Sequence, residues 1–488
     1  MILNSGKKLS IRMPSKIYLT TTLPYVNADP HLGFAFEVVT ADILARYHRL
    51  LGREVFFNTG TDEHGTKVYR RAAEEGMESQ AYVDFYAEKF GRLKEALNLS
   101  YDHFSRTTDS RHVVAAQEFW RRCRAAGDIY KKNYRVKYCI GCELEKTDSE
   151  LVDNRCSIHP TQALEIIEEE NYFFRFSKYQ KSLLEFYAQQ PNFVVPRTRF
   201  NELRAFVARG LEDFSVSRLK VKQPWGIAAP DDSEHTIYVW FDALVNYISA
   251  VGWPQDEKNF EEWWPTVQLA GKDNLRQQAA MWPAMLMSAG LPTSKQIIIH
   301  GFVTSGGQKM SKSFGNVIDP FRLVEEYGTD AVRYFLVRHV HPFEDTDVTL
   351  EKFKEAYNSN LANGLGNLVS RIMTLSAAHL DPVLSRRRLD IVKAAPLIAE
   401  HFDRYELNQA ADMIWQKIGA LDAMIQCDEP YKTVKTDLAK GKEQIISLVH
   451  GLDEIASWLI PFLPATSAAI TGLICQNRAP SRPLFPRK

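Results

Sequence analysis

The sequence predicts an α/β unit built on a parallel sheet, interrupted by a small insertion rich in cysteine and acidic residues, and followed by an all-α bundle. Three observations predict it. A strand, a helix and a second strand follow one another between residues 17 and 60; an isoleucine-rich strand leads into a glycine-rich loop near residue 300; and beyond "EDTDVTLEKF" strand signals give way to helical periodicity. At 488 residues the chain exceeds one ordinary core and divides into several units sharing one body.

The first strand is "IYLTTT" (17 to 22), rich in β-branched residues. After the turn "LPYVNADPHLG", apolar side chains recur at Phe36, Val39, Ile43, Tyr47 and Leu50, one face of a helix that Gly52 stops. "VFFNTG" (55 to 60) is the next strand, and a strand, helix and strand in this order form the unit of a parallel sheet. Ligands of such sheets sit beyond the carboxyl ends of the strands, which puts "PHLG" at the reactive edge. His31 opens the helix, whose amides and dipole attract anions, and Gly33 lets backbone approach a bulky phosphate. The same pair also suits a plain helix-capping turn.

In "YCIGCELEKTDSELVDNRCSIHP" (138 to 160), Cys139, Cys142, Cys156 and His159 are spaced as two pairs, each able to bite one tetrahedral ion from a tight turn. Thiolate and imidazole ligands select Zn2+ over magnesium or calcium, and four of them close a structural site. Glu143, Glu145, Asp148, Glu150 and Asp153 between the pairs argue against a phosphate-facing zinc finger.

"QIIIHGF" (296 to 302) reads as a buried strand, and "GGQKMSKSFGN" (306 to 316) follows it. The glycines predict a mobile backbone around an exposed methionine, with Lys309 and Lys312 as compact charges that could close over a triphosphate and stabilise a leaving pyrophosphate. Further on, Leu407, Ala411, Ile414, Ile418, Leu421 and Ile425 step by four and three along one helix, and helices are also expected over 326 to 337, 358 to 373 and 441 to 460.

Lysine plus arginine equals aspartate plus glutamate, 60 each, so a polyanion must be met by a local patch and not by a general basic coat. Six cysteines in so long a chain are no disulfide framework and imply a reducing compartment. No apolar run reaches the roughly 20 residues of a membrane helix. The first 16 residues, with four basic side chains and no acid, suit either an organelle leader or translation starting at Met13.

"KMSKS" at 309 to 313 matches the second signature of class I aminoacyl-tRNA synthetases, and "HLGF" at 31 to 34 resembles their first, HIGH, with Phe34 departing from it. "TTLPYVNADPHLG", "TGTDEHG", "YVWFDALVNY", "GKDN" and "MWPAML" are similar to segments of the methionyl-tRNA synthetases, over residues 15 to 430. The resemblance implies a Rossmann-like catalytic domain that uses ATP with Mg2+ to form methionyl-adenylate and passes methionine to the 3′ end of tRNA(Met). It implies catalytic roles for His31, Lys309 and Lys312, and an ATP site completed by Gly33, Gly271 and Asp273. Gly271 and Asp273 equally suit a helix start.

The resemblance further implies a methionine pocket of Leu23, Tyr25, Asp62, Trp240, Ala243, Tyr247 and Gln278, with Asp62 on the substrate ammonium and aromatic walls around the polarisable thioether. Many relatives carry an aromatic and a histidine where this chain has Gln277 and Gln278. The bundle becomes an anticodon-binding domain with Asn360 and Tyr431 as contacts, tyrosine replacing the family's usual tryptophan. The implied units are a first catalytic half (1 to 114), a connective insertion with the knuckle (115 to 235), a second catalytic half (236 to 313), a connecting unit (314 to 355) and the bundle (356 to 488). The insertion is too small for the hydrolytic editing domain that leucine, isoleucine and valine ligases need. A cysteine ligase and an inactive tRNA-binding relative are the alternatives, and a cytoplasmic monomer is expected.

Overall fold

A computed structural model describes residues 16 to 142, 144 to 146, 150 to 310, 316 to 381 and 396 to 488. Residues 1 to 15 of the proposed leader, Lys312, and two of the insertion's acids, Glu143 and Asp148, lie outside the described residues. Six strands form one sheet: β1 (Lys16–Thr20), β2 (Glu54–Thr61), β3 (His103–Arg106), β4 (Val194–Val195), β5 (Val267–Gly271) and β6 (Gln296–His300). They lie in the order β3-β2-β1-β5-β6-β4, every pairing parallel. A sheet covered on both faces needs continuous apolar strands, and Ile297, Ile298 and Ile299 of β6 are all buried. The strand order reverses between β1 and β5, the kind of switch point beyond whose carboxyl ends such sheets bind ligands.

Helix α1 (Leu32–Leu50) crosses from β1 to β2 and buries Phe36, Val39, Ile43 and Tyr47, the face its periodicity marks. Gly52, at φ 74°, takes the left-handed position that ends it. Helices α2 (Ser110–Ala125) and α3 (Val239–Leu244) pack on the far side of the sheet. The insertion is a long antiparallel pair, Ile129–Cys139 against Glu165–Phe174, with the cysteine knuckle at its tip. The strand Val194–Val195 lies within the 115 to 235 span yet joins the edge of the main sheet.

After β6 the chain makes a hairpin, Val303–Ser305 with Gln308–Lys309, and Thr346–Asp347 adds in parallel to its first strand. Gly301 permits this junction, since a Cβ there would stand 2.3 Å from the Glu344 carbonyl. The helix expected over 326 to 337 is two helices, Pro320–Tyr327 and α4 (Thr329–His339), because Gly328 between them adopts φ 89°. α5 (Leu407–Asp428) buries all six residues of its predicted stripe, and α6 (Leu438–Leu459) starts on an Asp437 cap that accepts from Lys440 N. No helix among the described residues is long and apolar enough to cross a membrane.

One apolar cluster runs without a break from Leu19 and Ile43 to Val332, Ile414 and Trp458, so sheet and bundle share a core. A buried ion pair crosses it. Asp42 of α1 meets Arg333 of α4 at 2.8 Å, both without exposed side-chain surface. The guanidinium also donates to three carbonyls, Leu97 at 2.9 Å, Phe462 at 2.8 Å and Pro461 at 2.9 Å. The other Asp42 oxygen accepts from Ser100 N and Oγ at 2.6 and 2.7 Å.

Burial opposes ionisation of Asp42, but the charges of Arg333 and Arg46 and the Ser100 bonds outweigh it and hold the carboxyl below its usual range. A depressed carboxyl adds stability that is fully present above its unfolded pKa, near 3.9, and is lost as pH falls below that. Arg333→Met, which strands a buried carboxylate, is expected to cost about 3–5 kcal/mol in urea unfolding, with Asp42→Leu added to it recovering most of the loss. The double variant should lose less of its neutral-pH stability than wild type when titrated below about pH 4.

Candidate active site

The carboxyl edge of the sheet brings the first signature into place through a helix cap. His31 is the N-cap of α1: its Nδ1 accepts from Gly33 N at 3.1 Å and Phe34 N at 3.4 Å. An imidazole nitrogen that accepts two amides carries no proton, so the proton is on Nε2 and the outer edge of the ring is a donor. A Cβ on Gly33 would stand 3.0 Å from the ring, so glycine is there for the imidazole. The cap thus engages the amides of Gly33 and Phe34. Phe34, where HIGH has its second histidine, stacks edge-on to Phe90 at 5.4 Å.

The second signature is tied to the same helix mouth. Leu32 N donates to Ile318 O at 3.1 Å, six residues after Lys312. Gly306 and Gly307, at φ 65° and 72°, form the tight turn of the hairpin. Asn316 closes the base of the loop, donating to Ser305 O at 3.0 Å. Met310, expected exposed, is 7% exposed and belongs to the apolar cluster of Leu32 and Phe36. Lys309 pairs through its backbone with Thr304; its side chain and all of Lys312 lie outside the described residues.

Beside this edge, the β1 exit loop and the β2 exit loop run together. Asp62 N donates to Pro24 O at 2.9 Å and Val26 N to Asp62 O at 3.3 Å, which sets Tyr25 against Asp62. Leu23, Tyr25, Trp240 and Ala243 are half-buried, as a cleft wall requires, while Tyr247 is 1% exposed. Gln278 sits in a π-helical turn, Gln277–Met281, and donates to the Tyr247 hydroxyl at 2.8 Å. Its own oxygen accepts from Gln268 at 3.2 Å. Burial pushes the Tyr247 phenol up, so the hydroxyl stays protonated and its hydrogen is left to point elsewhere.

At the carboxyl end of the neighbouring strand, Gly271 ends β5 and Asp273 is exposed just beyond it. A Cβ on Gly271 would stand 2.8 Å from the Asp273 carboxylate and 3.6 Å from His300. The Asp273 carboxylate accepts from its neighbour Asn274.

Two residues here escaped sequence reasoning. Glu37 of α1, 4% exposed, accepts from Thr22 N at 2.6 Å and Thr22 Oγ1 at 2.7 Å. Its other oxygen lies 2.8 Å from His300 Nε2, while His300 Nδ1 lies 2.8 Å from Gly301 O. Both ring nitrogens face acceptors, so both carry protons. Burial alone would lower the His300 pKa, but the Glu37 hydrogen bond and charge outweigh it and raise it. The available signal was an acid inside an apolar helix face, between Phe36 and Val38.

The knuckle residues converge. The ligand atoms of Cys139, Cys142, Cys156 and His159 all lie within 4.8 Å of one another, with Cys142 Sγ 3.2 Å from His159 Nδ1 and 3.5 Å from Cys156 Sγ. A Cβ on Gly141 would stand 2.6 Å from the His159 ring, so the turn admits only glycine. Three sulfurs and one imidazole can hold a metal ion.

In the bundle, Tyr431 is 41% exposed, with its hydroxyl on Glu429 at 3.1 Å. Asn360 is half-buried, accepts from Arg338 at 3.3 Å, and lines a cavity of about 340 Å3 with His339 and Asp347. The two face different surroundings.

The family model described as tRNA synthetases class I (M) matches residues 17–150 and 141–373. Among curated relatives, methionine–tRNA ligase of Thermosynechococcus vestitus is 42% identical over 472 residues, 93% of this chain and 89% of the relative. The chloroplastic/mitochondrial methionine–tRNA ligase of Arabidopsis thaliana is 44% identical over 487 residues, 96% of this chain and 78% of the relative. The solved structure of Mycobacterium tuberculosis methionyl-tRNA synthetase in complex with methionyl-adenylate superposes with a TM-score of 0.89 at 36% identity, covering 97% of this chain and 100% of that one.

The cap can be separated from the rest of His31. His31→Ala should lower the stability of the sheet domain by about 0.5–2 kcal/mol, and His31→Asn, which keeps a capping acceptor, should restore it in denaturant unfolding.

Proposed function

The chain belongs to the methionyl family of class I tRNA synthetases, and from that premise we propose how its residues divide the work of joining methionine to tRNA. The methionine carboxylate attacks the α-phosphorus of ATP, the bond to the β-bridging oxygen breaks, and pyrophosphate leaves with its electrons. The terminal hydroxyl of tRNA then attacks the carbonyl carbon of the adenylate, and AMP departs.

One observation carries the assignment of the phosphate groups: the bond from Leu32 N to Ile318 O, which ties the first signature to the chain six residues after Lys312. Six residues of chain reach at most about 20 Å, so Lys312 can act on the same triphosphate as His31. His31 donates from Nε2 to phosphate oxygens, and Lys309 and Lys312 meet the charge that builds on the leaving pyrophosphate, whose Mg2+ arrives with ATP. Gly33 makes room for the ring, Gly271 lets the ribose approach, and Asp273 accepts from its hydroxyls.

Asp62 pairs with the substrate ammonium. Leu23, Tyr25, Trp240, Ala243 and Tyr247 enclose the thioether, with Gln278 fixing the Tyr247 hydroxyl as a donor toward sulfur. Cys139, Cys142, Cys156 and His159 hold one Zn2+ whose filled shell shapes the insertion near the acceptor end of tRNA and leaves no open position for a substrate thiol. Asn360 and Tyr431 contact the anticodon, Tyr431 by stacking on an unpaired base.

ATP–pyrophosphate exchange measured against twenty amino acids should respond to methionine and to no other with comparable kcat/KM; a preference for cysteine would replace this reading. His31→Asn, with its helix still capped, should slow exchange by about a hundredfold or more, as loss of a transition-state donor does. Elemental analysis of freshly purified protein should find close to one zinc per chain, and less than half an equivalent would remove the metal assignment.

A further inference from the structure

We propose that a buried carboxylate held between two imidazoles, His64–Asp242–His112, positions the two walls of the amino-acid pocket against each other and so sets the affinity for methionine without touching it. The proposal rests on the reading of that pocket given above. Asp242 lies in α3 with no exposed surface, between Trp240 and Ala243 in the chain. Its Oδ2 is 2.7 Å from Nδ1 of His64, two residues beyond Asp62 in the loop after β2. Its Oδ1 is 2.7 Å from Nε2 of His112, on α2. The other nitrogen of His112 lies 3.1 Å from Ser249 Oγ, in the short helix Asn246–Ser249 that carries Tyr247. One carboxylate thus links the loop of the ammonium partner to both helices of the aromatic wall.

The His64 side of this link is itself fixed. Glu63 accepts from Arg106 Nε at 2.7 Å, from Arg106 Nη2 at 3.0 Å and from Thr108 at 2.5 Å, and its carbonyl accepts from Trp225 Nε1 at 2.6 Å. With that loop as a rigid reference, the bond to Asp242 transfers its position to α3. Burial opposes charge on Asp242, yet the charge and hydrogen bonds of the two imidazoles hold the carboxyl below its usual range, so both oxygens remain acceptors.

Stability alone is a poor account of the cluster. Desolvating a carboxylate offsets most of what its partners return, and apolar side chains of similar volume would pack α3 as firmly. A carboxylate adds direction, since two bonds in one plane specify where α3 sits relative to the β2 exit loop. A pocket that holds an unbranched, weakly hydrogen-bonding side chain by shape depends on its wall spacing, so a small shift in α3 falls on methionine and leaves the nucleotide edge unchanged.

The test is ATP–pyrophosphate exchange with methionine and ATP varied separately. Unaltered protein is measured first: absence of methionine-dependent exchange would sink the pocket reading itself. Asp242→Asn, which leaves one imidazole without an acceptor, and His112→Ala should each raise KM for methionine at least tenfold while KM for ATP moves less than twofold. His112→Gln places an amide nitrogen where Nε2 was and should return KM for methionine to within threefold of wild type. The bracket is overturned if both KM values rise together, if neither moves, or if His112→Gln is as impaired as His112→Ala. Should Asp242→Asn fail to fold by circular dichroism, the two His112 variants decide by the same criterion.

Discussion

The pair Asp42–Arg333 is the constraint on which the arrangement of the molecule depends. A guanidinium with no exposed surface has to find its partners inside the protein, and each of its three nitrogens does so, among one carboxylate and three carbonyls drawn from separate stretches of chain. Those partners belong to α1, the segment around Leu97 and the turn after α6, so the sheet and the bundle can be apposed in only one way without stranding a charge. The continuous apolar core supplies the adhesion, and the ion pair supplies the register.

The same economy appears at the carboxyl edge of the sheet, where ordinary element-ending interactions hold the groups proposed to act on substrate. The imidazole of His31 orients itself by capping α1. The loop that carries the lysines is bounded on one side by a glycine-pair turn and a buried methionine, and on the other by Asn316 and by Ile318 at the helix mouth. The knuckle needs Gly141 for the ring of His159 to come close.

Periodicity and spacing were legible because they are local. The stripe from Leu407 to Ile425, the strand–helix–strand unit after residue 16 and the four knuckle residues each lie within one continuous stretch of chain, and the structure has them where expected. What escaped is made by partners far apart. Glu37 and His300 are 263 residues distant in the chain, and neither carries a local mark of the other. Met310 looked exposed because its neighbours are polar; only the adjoining cluster of α1 shows a place to bury it. The helix reading through Gly328 failed for the opposite reason, since apolar spacing continued across a residue whose backbone leaves the helical region. The substrate itself was legible through long matched segments and not through any single contact.

His31 and Asp42 stand eleven positions apart on one helix, about 16 Å at 1.5 Å per residue. That stretch of α1 behaves as a short strut with its foot in the Arg333 junction and its head at the imidazole. A tilt of two degrees at the foot would carry the head about half an ångström, which is the tolerance a reacting geometry usually has. A substitution in the turn after α6 would therefore be felt by leverage at the far end of the helix, and the accuracy of the helix mouth is a property of masonry at its base.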